Sequence, residues 1–253
     1  MALFGLFLVF QLHTGGAPVL LGEQAARYQW RGSTFVLPSY ENNGYSQQVR
    51  QTSSDLEIVV KTGNAPLKSS DPARLCQGLP SELAGLQHGL NQQRLLVDQI
   101  VYLQAWMRDA LRYDATLSTE NPLLVLQNRA GNCVGFCNFF QWILKHMQVP
   151  TRFATGVAFK PGDAATLRLE GGILHRWVEV YYPDRGWVFC DPSGKVNFVE
   201  ATYLLLGLEG EIHTEHLYQN ALGAEVELMG FEDGLWPAMQ RKDIDGRLRL
   251  RAN

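Results

Sequence analysis

The chain has 253 residues, 46% hydrophobic and 19% charged, which excludes a disordered chain and a membrane bundle. The length suits one large domain, or a core with a smaller module, and buries a sizeable core. A formal net charge of −3 with no long Lys/Arg run makes nucleic acid and anionic membrane surfaces unexpected partners.

Ala2 to Phe10 is apolar and is followed by Gln-Leu-His-Thr-Gly-Gly-Ala, a pattern like the apolar region of a signal peptide. No Lys or Arg precedes Arg27, and the apolar run is too short to span a bilayer. Residues 1–22 are therefore an N-terminal apolar segment for which export, periplasmic or secreted, is slightly favoured over a cytoplasmic location. A buried strand or helix, or a misassigned start codon, is the alternative.

Residues 23–70 read as β-rich. Tyr28 to Pro38, Gln47 to Thr52 and Leu56 to Lys61 are strand candidates, with turns at Tyr40–Tyr45 and Ser53-Ser54-Asp55. Residues 62–74 hold Gly63, Pro66 and Pro72 and read as a linker. Leu96, Ile100, Leu103, Met107 and Ala110/Leu111 then trace a helical apolar stripe that ends near Tyr113-Asp114.

A turn signal, Arg129-Ala130-Gly131-Asn132, runs into the next helical pattern, where Phe136, Phe140, Ile143 and Met147 recur at spacings of four, three and four. Asn132 is an N-cap residue by type, which puts Cys133 in the first turn. Unpaired backbone N–H groups there stabilise a thiolate and so favour a reactive cysteine. After Pro150 the chain alternates as strands at Thr151–Phe159, Trp177–Tyr182 and Trp187–Cys190, with a Pro183-Asp-Arg-Gly186 turn between the last two. Residues 200–222 look mixed, and Ala224–Met229 and Arg247–Arg251 alternate like exposed strands.

A cysteine nucleophile needs a base, and the base needs a group to fix its ring. His175 opens one strand of the predicted hairpin and Asp191 closes the other, so the two are expected side by side at one end of a sheet. If the Cys133 helix packs its N-terminus there, the three groups meet.

Gly131-Asn-Cys133-Val-Gly-Phe136, with Val149-Pro150-Thr-Arg152 and Thr155-Gly156 downstream, resembles the nucleophile segment of the transglutaminase-like superfamily. His175-Arg-Trp177-Val-Glu179-Val and Gly186-Trp187-Val…Asp191-Pro192-Ser193 are similar to its histidine and aspartate segments. The blocks occur in the family's order, separated by 42 residues (175 − 133) and 16 residues (191 − 175). The resemblance covers roughly residues 75–200, with Trp106…Tyr113-Asp114 upstream also similar. It implies an α+β, papain-like transglutaminase core, a nucleophile helix packed on an antiparallel sheet, with a β-rich N-terminal region. It also implies a Cys133/His175/Asp191 triad. Acyl chemistry on an amide or peptide substrate would follow, through a Cys133 thioester. On this reading residues 71–205 form the catalytic core, and residues 206–253 a C-terminal extension of the same globule. Arg176 departs from the family's pattern, where a small residue follows the histidine. Cys137 departs too, standing where a small apolar residue is usual.

Hydrolysis is favoured over crosslinking, because the chain is small and has no Asp-x-Asp-x-Asp calcium loop. No cofactor or metal is expected. Two other readings compete: a binding or scaffold protein that retains the fold, and a metal or redox site at Cys133/Cys137. The second lacks further ligands at suitable spacing. His213-x-x-His216 has ligand-like spacing without a third ligand nearby. Trp106 and Tyr113 are candidates for a second oxyanion-hole donor only as upstream aromatics and read more readily as core, and Trp177 and Trp187 read more readily as core than as a substrate platform. Cys76, Cys133, Cys137 and Cys190 are too few for a disulfide scaffold, although one bridge stays open.

Overall fold

The computed structural model describes residues 24–32, 37–63, 67–159, 165–170, 173–210 and 221–232. The expectations for residues 1–22, His213/His216 and Arg247–Arg251 fall outside these.

The fold is α+β, helices packed on antiparallel sheets, with a β-rich N-terminal region. Its helices are α1 (Ala84–Gln92), α2 (Leu96–Ala110), α3 (Pro122–Asn128) and α4 (Cys133–His146). The strands before α4 are β1 (Gln24–Arg31), β2 (Tyr40–Asn42), β3 (Tyr45–Gln51), β4 (Leu56–Thr62), β5 (Arg112–Tyr113) and β6 (Ala130–Gly131). Those after it are β7 (Thr151–Ala158), β8 (Thr166–Arg168), β9 (Leu174–Tyr182), β10 (Gly186–Cys190), β11 (Tyr203–Leu208) and β12 (Glu225–Phe231).

Two antiparallel sheets organise these strands. One has the order β10-β9-β7-β11 and the other β2-β3-β4-β1-β12-β8. Period-2 alternation on β9 splits the core between them. Val178, Val180 and Tyr182 join a cluster with the helices, while Trp177 joins a cluster with Tyr28, Trp30, Tyr45 and Ile58 of the N-terminal strands. The four-stranded sheet is therefore covered on both faces: helices on one, the six-stranded sheet on the other. Chain order and sheet order differ. β12 pairs β1, and β8, which lies between β7 and β9 in sequence, pairs β12 instead.

The strand expectations for Leu56–Lys61, Thr151–Phe159 and Trp187–Cys190 agree with β4, β7 and β10 to within a residue or two. Two local readings need correction. The helix stripe predicted to end near Tyr113 ends at Ala110, and Arg112–Tyr113 forms a strand parallel to Ala130–Gly131. Residues 200–222, read as mixed, contain β11, an edge strand paired with β7. Both errors have one cause: each strand is short and is created by a distant partner, not by local periodicity.

Helix α4 is more deeply buried than a one-sided stripe predicts. Phe136, Phe140, Ile143 and Met147 are buried as expected, and Cys137, Phe139 and Leu144 are buried beside them. α2 and α3 cover one side and the sheet covers the other, with Trp106 of α2 stacked on Phe139 at 5.8 Å. A helix apolar all round is the one a fold wraps around. Each buried Phe stabilises the fold by roughly 1.5–3 kcal/mol, so α4 is fixed in depth and rotation.

Candidate active site

Backbone chemistry places Cys133 first. Arg129 adopts a left-handed conformation (φ 50°) that ends α3, and the chain turns through β6 into α4. Asn132 caps the new helix, its Oδ1 accepting from the N–H groups of Val134 (3.0 Å) and Gly135 (3.2 Å). The first turn is close-packed: a Cβ at Gly135 would meet Val125 Cγ2 at 3.0 Å. Cys133 thus starts the helix, as the sequence predicts, and is only 9% exposed.

The β9–β10 hairpin brings the other two residues. Its register pairs Val178 with Cys190 and Gly186 with Tyr182. Continued one step it sets Asp191 opposite Trp177, so His175 is a diagonal neighbour of Asp191, not the directly opposed partner that the sequence reading supposed. β9 also begins earlier than predicted, at Leu174, which puts His175 inside the strand opposite Gly156 of β7. The diagonal suits the longer imidazole: His175 Nε2 lies 2.8 Å from Asp191 Oδ2.

The structure brings Cys133, His175 and Asp191 together. The His175 side chain hydrogen-bonds the Cys133 thiol, and the Arg176 backbone N–H donates to the same sulfur. With Nε2 on Asp191, the ring presents Nδ1 to the thiol. Burial alone would raise the Cys133 pKa; the His175 bond, its charge and the Arg176 N–H outweigh burial and bring it below the ordinary thiol value. Burial likewise works against imidazolium at His175, yet the charge and hydrogen bond of Asp191 lift its pKa to about 10. Asp191 is buried, which disfavours its charge, but His175, Tyr203 and Ser193 hold its pKa down at about 2. The pair is an imidazolium held by a carboxylate, beside a thiol that is easily ionised.

The carboxylate is satisfied on both oxygens. Oδ1 accepts from the Ser193 backbone N–H (2.9 Å) and hydroxyl (2.7 Å), and Oδ2 accepts from His175 and from the Tyr203 hydroxyl (2.7 Å). Tyr203 carries no recognisable signal in the sequence, because only β11–β7 pairing brings it in, whereas Ser193 stands in the Asp191-Pro192-Ser193 segment and is brought onto the carboxylate by the turn after Asp191. Tyr113, read as core, is 43% exposed and stands next to Cys133. Its parallel pairing with Gly131 aims the ring at the start of α4, where it lies against Phe136 at 5.9 Å. Its hydroxyl bonds both the Cys133 backbone N–H and the thiol. Trp106 and Trp177 do pack in the core, and Trp187 lies beneath the Arg152 guanidinium at 4.5 Å.

Cys137 does not join the site. It is buried one turn deeper, its thiol donates to the Arg176 carbonyl at 3.2 Å, and burial pushes its pKa well up. All four cysteines are free thiols. Among the described residues no group of three His, Cys, Asp or Glu side chains is placed to hold a metal. The Arg176 side chain turns from the thiol toward Glu120 (3.5 Å) and the Phe153 ring (5.0 Å), so the departure from a small residue leaves His175 unobstructed.

Residues 84–192 match the family described as the transglutaminase-like superfamily. Among solved structures, a "putative cysteine protease" of Cytophaga hutchinsonii is 12% identical over 83% of this chain and 88% of that one, with a TM-score of 0.44. The periplasmic domain of TgpA from Pseudomonas aeruginosa bound to ethylmercury is 16% identical over 68% and 75%, with a TM-score of 0.40. A second structure of that domain is 14% identical over 80% and 92%, with a TM-score of 0.37. No curated protein matches the chain. Among the described residues no helix is long and apolar enough to cross a membrane.

Proposed function

We propose that the protein is a cysteine enzyme that cleaves or transfers amide and peptide acyl groups, with Cys133 as nucleophile, His175 as acid–base and Asp191 as its orienting partner; the match of residues 84–192 to the transglutaminase-like superfamily supports this reading. One observation supports this above the others: a helix-start thiol hydrogen-bonded to an imidazole whose second nitrogen is held by a buried carboxylate at 2.8 Å.

The chemistry runs in two halves. The Cys133 thiolate adds to the amide carbonyl carbon. The C–N bond then breaks as His175 gives its proton to the departing amine, leaving a thioester and a neutral imidazole. Water enters next. His175 takes its proton, the oxygen bonds to the acyl carbon, and the C–S bond breaks to release the acid and restore the thiolate–imidazolium pair. The Cys133 backbone N–H supports the oxyanion, a contribution of roughly 3–4 kcal/mol per donor. The Tyr113 hydroxyl beside that N–H is the second group in reach. Hydrolysis is favoured over transfer to an amine on the grounds of chain size and the missing calcium-loop pattern.

The substrate class is tested by incubating the protein with a peptide library and examining Cys133 by mass spectrometry. An acyl adduct on Cys133 that is absent from Cys133→Ala supports the reading. Incorporation of ¹⁸O from labelled water into product separates hydrolysis from amine transfer. Absence of any adduct across the library, with the fold intact, supports the alternative of a scaffold that retains the fold.

A further inference from the structure

Tyr203 lies on β11, beyond the residues that match the family, and reaches the site from a strand two removed from β9. Gly156 of β7 stands between them in the sheet, opposite both His175 and Leu205. A Cβ at Gly156 would strike the Leu204 carbonyl oxygen at 1.9 Å and Trp177 Cη2 at 2.8 Å, so β11 is drawn unusually close at this point. The Tyr203 ring meets Trp177 edge-on at 5.4 Å and His175 at 5.9 Å, and its hydroxyl ends 2.7 Å from Asp191 Oδ2. That oxygen is the one that holds His175 Nε2.

The two oxygens of Asp191 are not equivalent. Oδ1 has two donors from Ser193, one of them backbone. Among the described residues, Oδ2 accepts from the His175 and Tyr203 side chains. The Gly194 side of the loop is also closed, since a Cβ there would meet Asp191 Oδ2 at 2.9 Å, and Gln104 of α2 pins the Gly194 carbonyl at 2.8 Å. The carboxylate position is thus set by the loop and Ser193, which leaves the Tyr203 hydroxyl to act on its charge.

We propose that Tyr203 is a fourth, positioning member of the site, whose hydroxyl shares Asp191 Oδ2 with His175 and so limits how strongly the carboxylate retains the His175 proton. The need for such a limit follows from the proposed reaction, in which His175 must release that proton to the leaving amine and take another from water. An imidazolium bound too firmly to a buried carboxylate is a poor acid. Tyr203 stays protonated as a donor, because burial and the neighbouring Asp191 push its own ionisation far upward. The other ionisable groups facing the pair are Cys133 and Cys137 of α4, Tyr113 of β5, Cys190 of β10 and Glu200 in the loop before β11. Tyr203, and none of these groups, shares Asp191 Oδ2 with His175 through a hydrogen bond.

This inference rests on the Cys133/His175 reading, and the test separates the two. The full chain is alkylated with iodoacetate across pH, and the rate at Cys133 is followed by peptide mapping. Iodoacetate is anionic and senses the imidazolium, so its rate falls as His175 loses its proton. In Tyr203→Phe, which keeps the ring, that alkaline fall is expected to move upward by about half a pH unit or more, since the carboxylate loses a donor and holds the proton harder. Ser193→Ala, which keeps the backbone donor on Oδ1, is expected to move it less. An unchanged or lowered alkaline limb in Tyr203→Phe, with a normal circular dichroism spectrum, overturns the proposal while leaving the nucleophile reading intact. If His175→Ala leaves the wild-type profile unchanged, the nucleophile reading fails and this proposal falls with it. Should Tyr203→Phe fail to fold, ¹H NMR of the wild-type chain decides: a downfield, exchange-protected Tyr203 hydroxyl proton at neutral pH supports the bond, and its absence contradicts it.

Discussion

Two buried carboxylates stand on adjacent strands of the four-stranded sheet and end in opposite roles. Glu179 on β9 is fully buried and accepts from Tyr40 (2.6 Å), Asn42 (2.5 Å) and the Arg152 guanidinium (2.6 Å). Asp191, just after β10, is 2% exposed and accepts from Tyr203, Ser193 and His175. Each has a tyrosine hydroxyl, a small polar donor and one cationic partner. The partners differ in one property: a guanidinium does not release its proton near neutral pH, whereas an imidazole does. The Glu179 cluster therefore ties β2 of the N-terminal region to β7 and β9. The Asp191 cluster holds a proton that can leave, and a thiol waits beside it. Burial and satisfaction of a carboxylate are common to structure and chemistry; the partner decides which it serves.

Removing the charge from each carboxylate's system should break the molecule in different ways. Asp191→Asn is expected to give the largest effect, lowering the alkylation rate of Cys133 at mildly acidic pH by about a hundredfold or more, because the imidazolium that stabilises the thiolate loses its counter-charge. Far-ultraviolet circular dichroism at the same temperature checks that the fold persists. Arg152→Met is expected to do the reverse. It leaves the Glu179 charge buried with only neutral donors and should cost about 3–5 kcal/mol of stability in urea unfolding, with Cys133 alkylation unchanged below the transition.

A smaller effect sharpens the contrast through pH. His175 rises from 6.5 to about 10 on folding, so its contribution is fully present below pH 6.5 and is lost as pH climbs toward 10. Asp191 falls from 3.8 to about 2, so its contribution is present above pH 3.8 and is lost as pH drops toward 2. The melting temperature should therefore decline on both sides of a plateau between about pH 4 and 6.5. His175→Ala should flatten the alkaline decline. Arg152→Met should leave its shape unchanged, since arginine does not titrate there.

Sequence legibility followed the range of the interactions. The Asn132 cap, the Cys133 helix start and the Pro183–Gly186 hairpin were legible because each is written within a few neighbouring residues. The meeting of Cys133, His175 and Asp191 could be expected from the order of three blocks, but the diagonal register could not, because the strand's start at Leu174 depends on its pairing with β7. Tyr203 reaches Asp191 through a pairing of edge strands, and Tyr40 reaches Glu179 across 139 residues of chain. No local pattern records either contact. The place of Tyr113 is hidden for the same reason: the two-residue strand that turns it toward Cys133 exists only because Ala130–Gly131 lies alongside.

The central claim is that His175 lowers the pKa of one thiol among four and so favours its thiolate. Iodoacetamide labelling of the intact chain at mildly acidic pH, mapped cysteine by cysteine, tests it most directly. Cys76 provides the internal standard, a buried thiol whose pKa burial pushes up to about 11. Labelling of Cys133 well ahead of Cys76, with the advantage lost in His175→Ala, is the predicted result. Labelling of Cys133 no faster than Cys76, or an advantage that survives His175→Ala, would contradict the account.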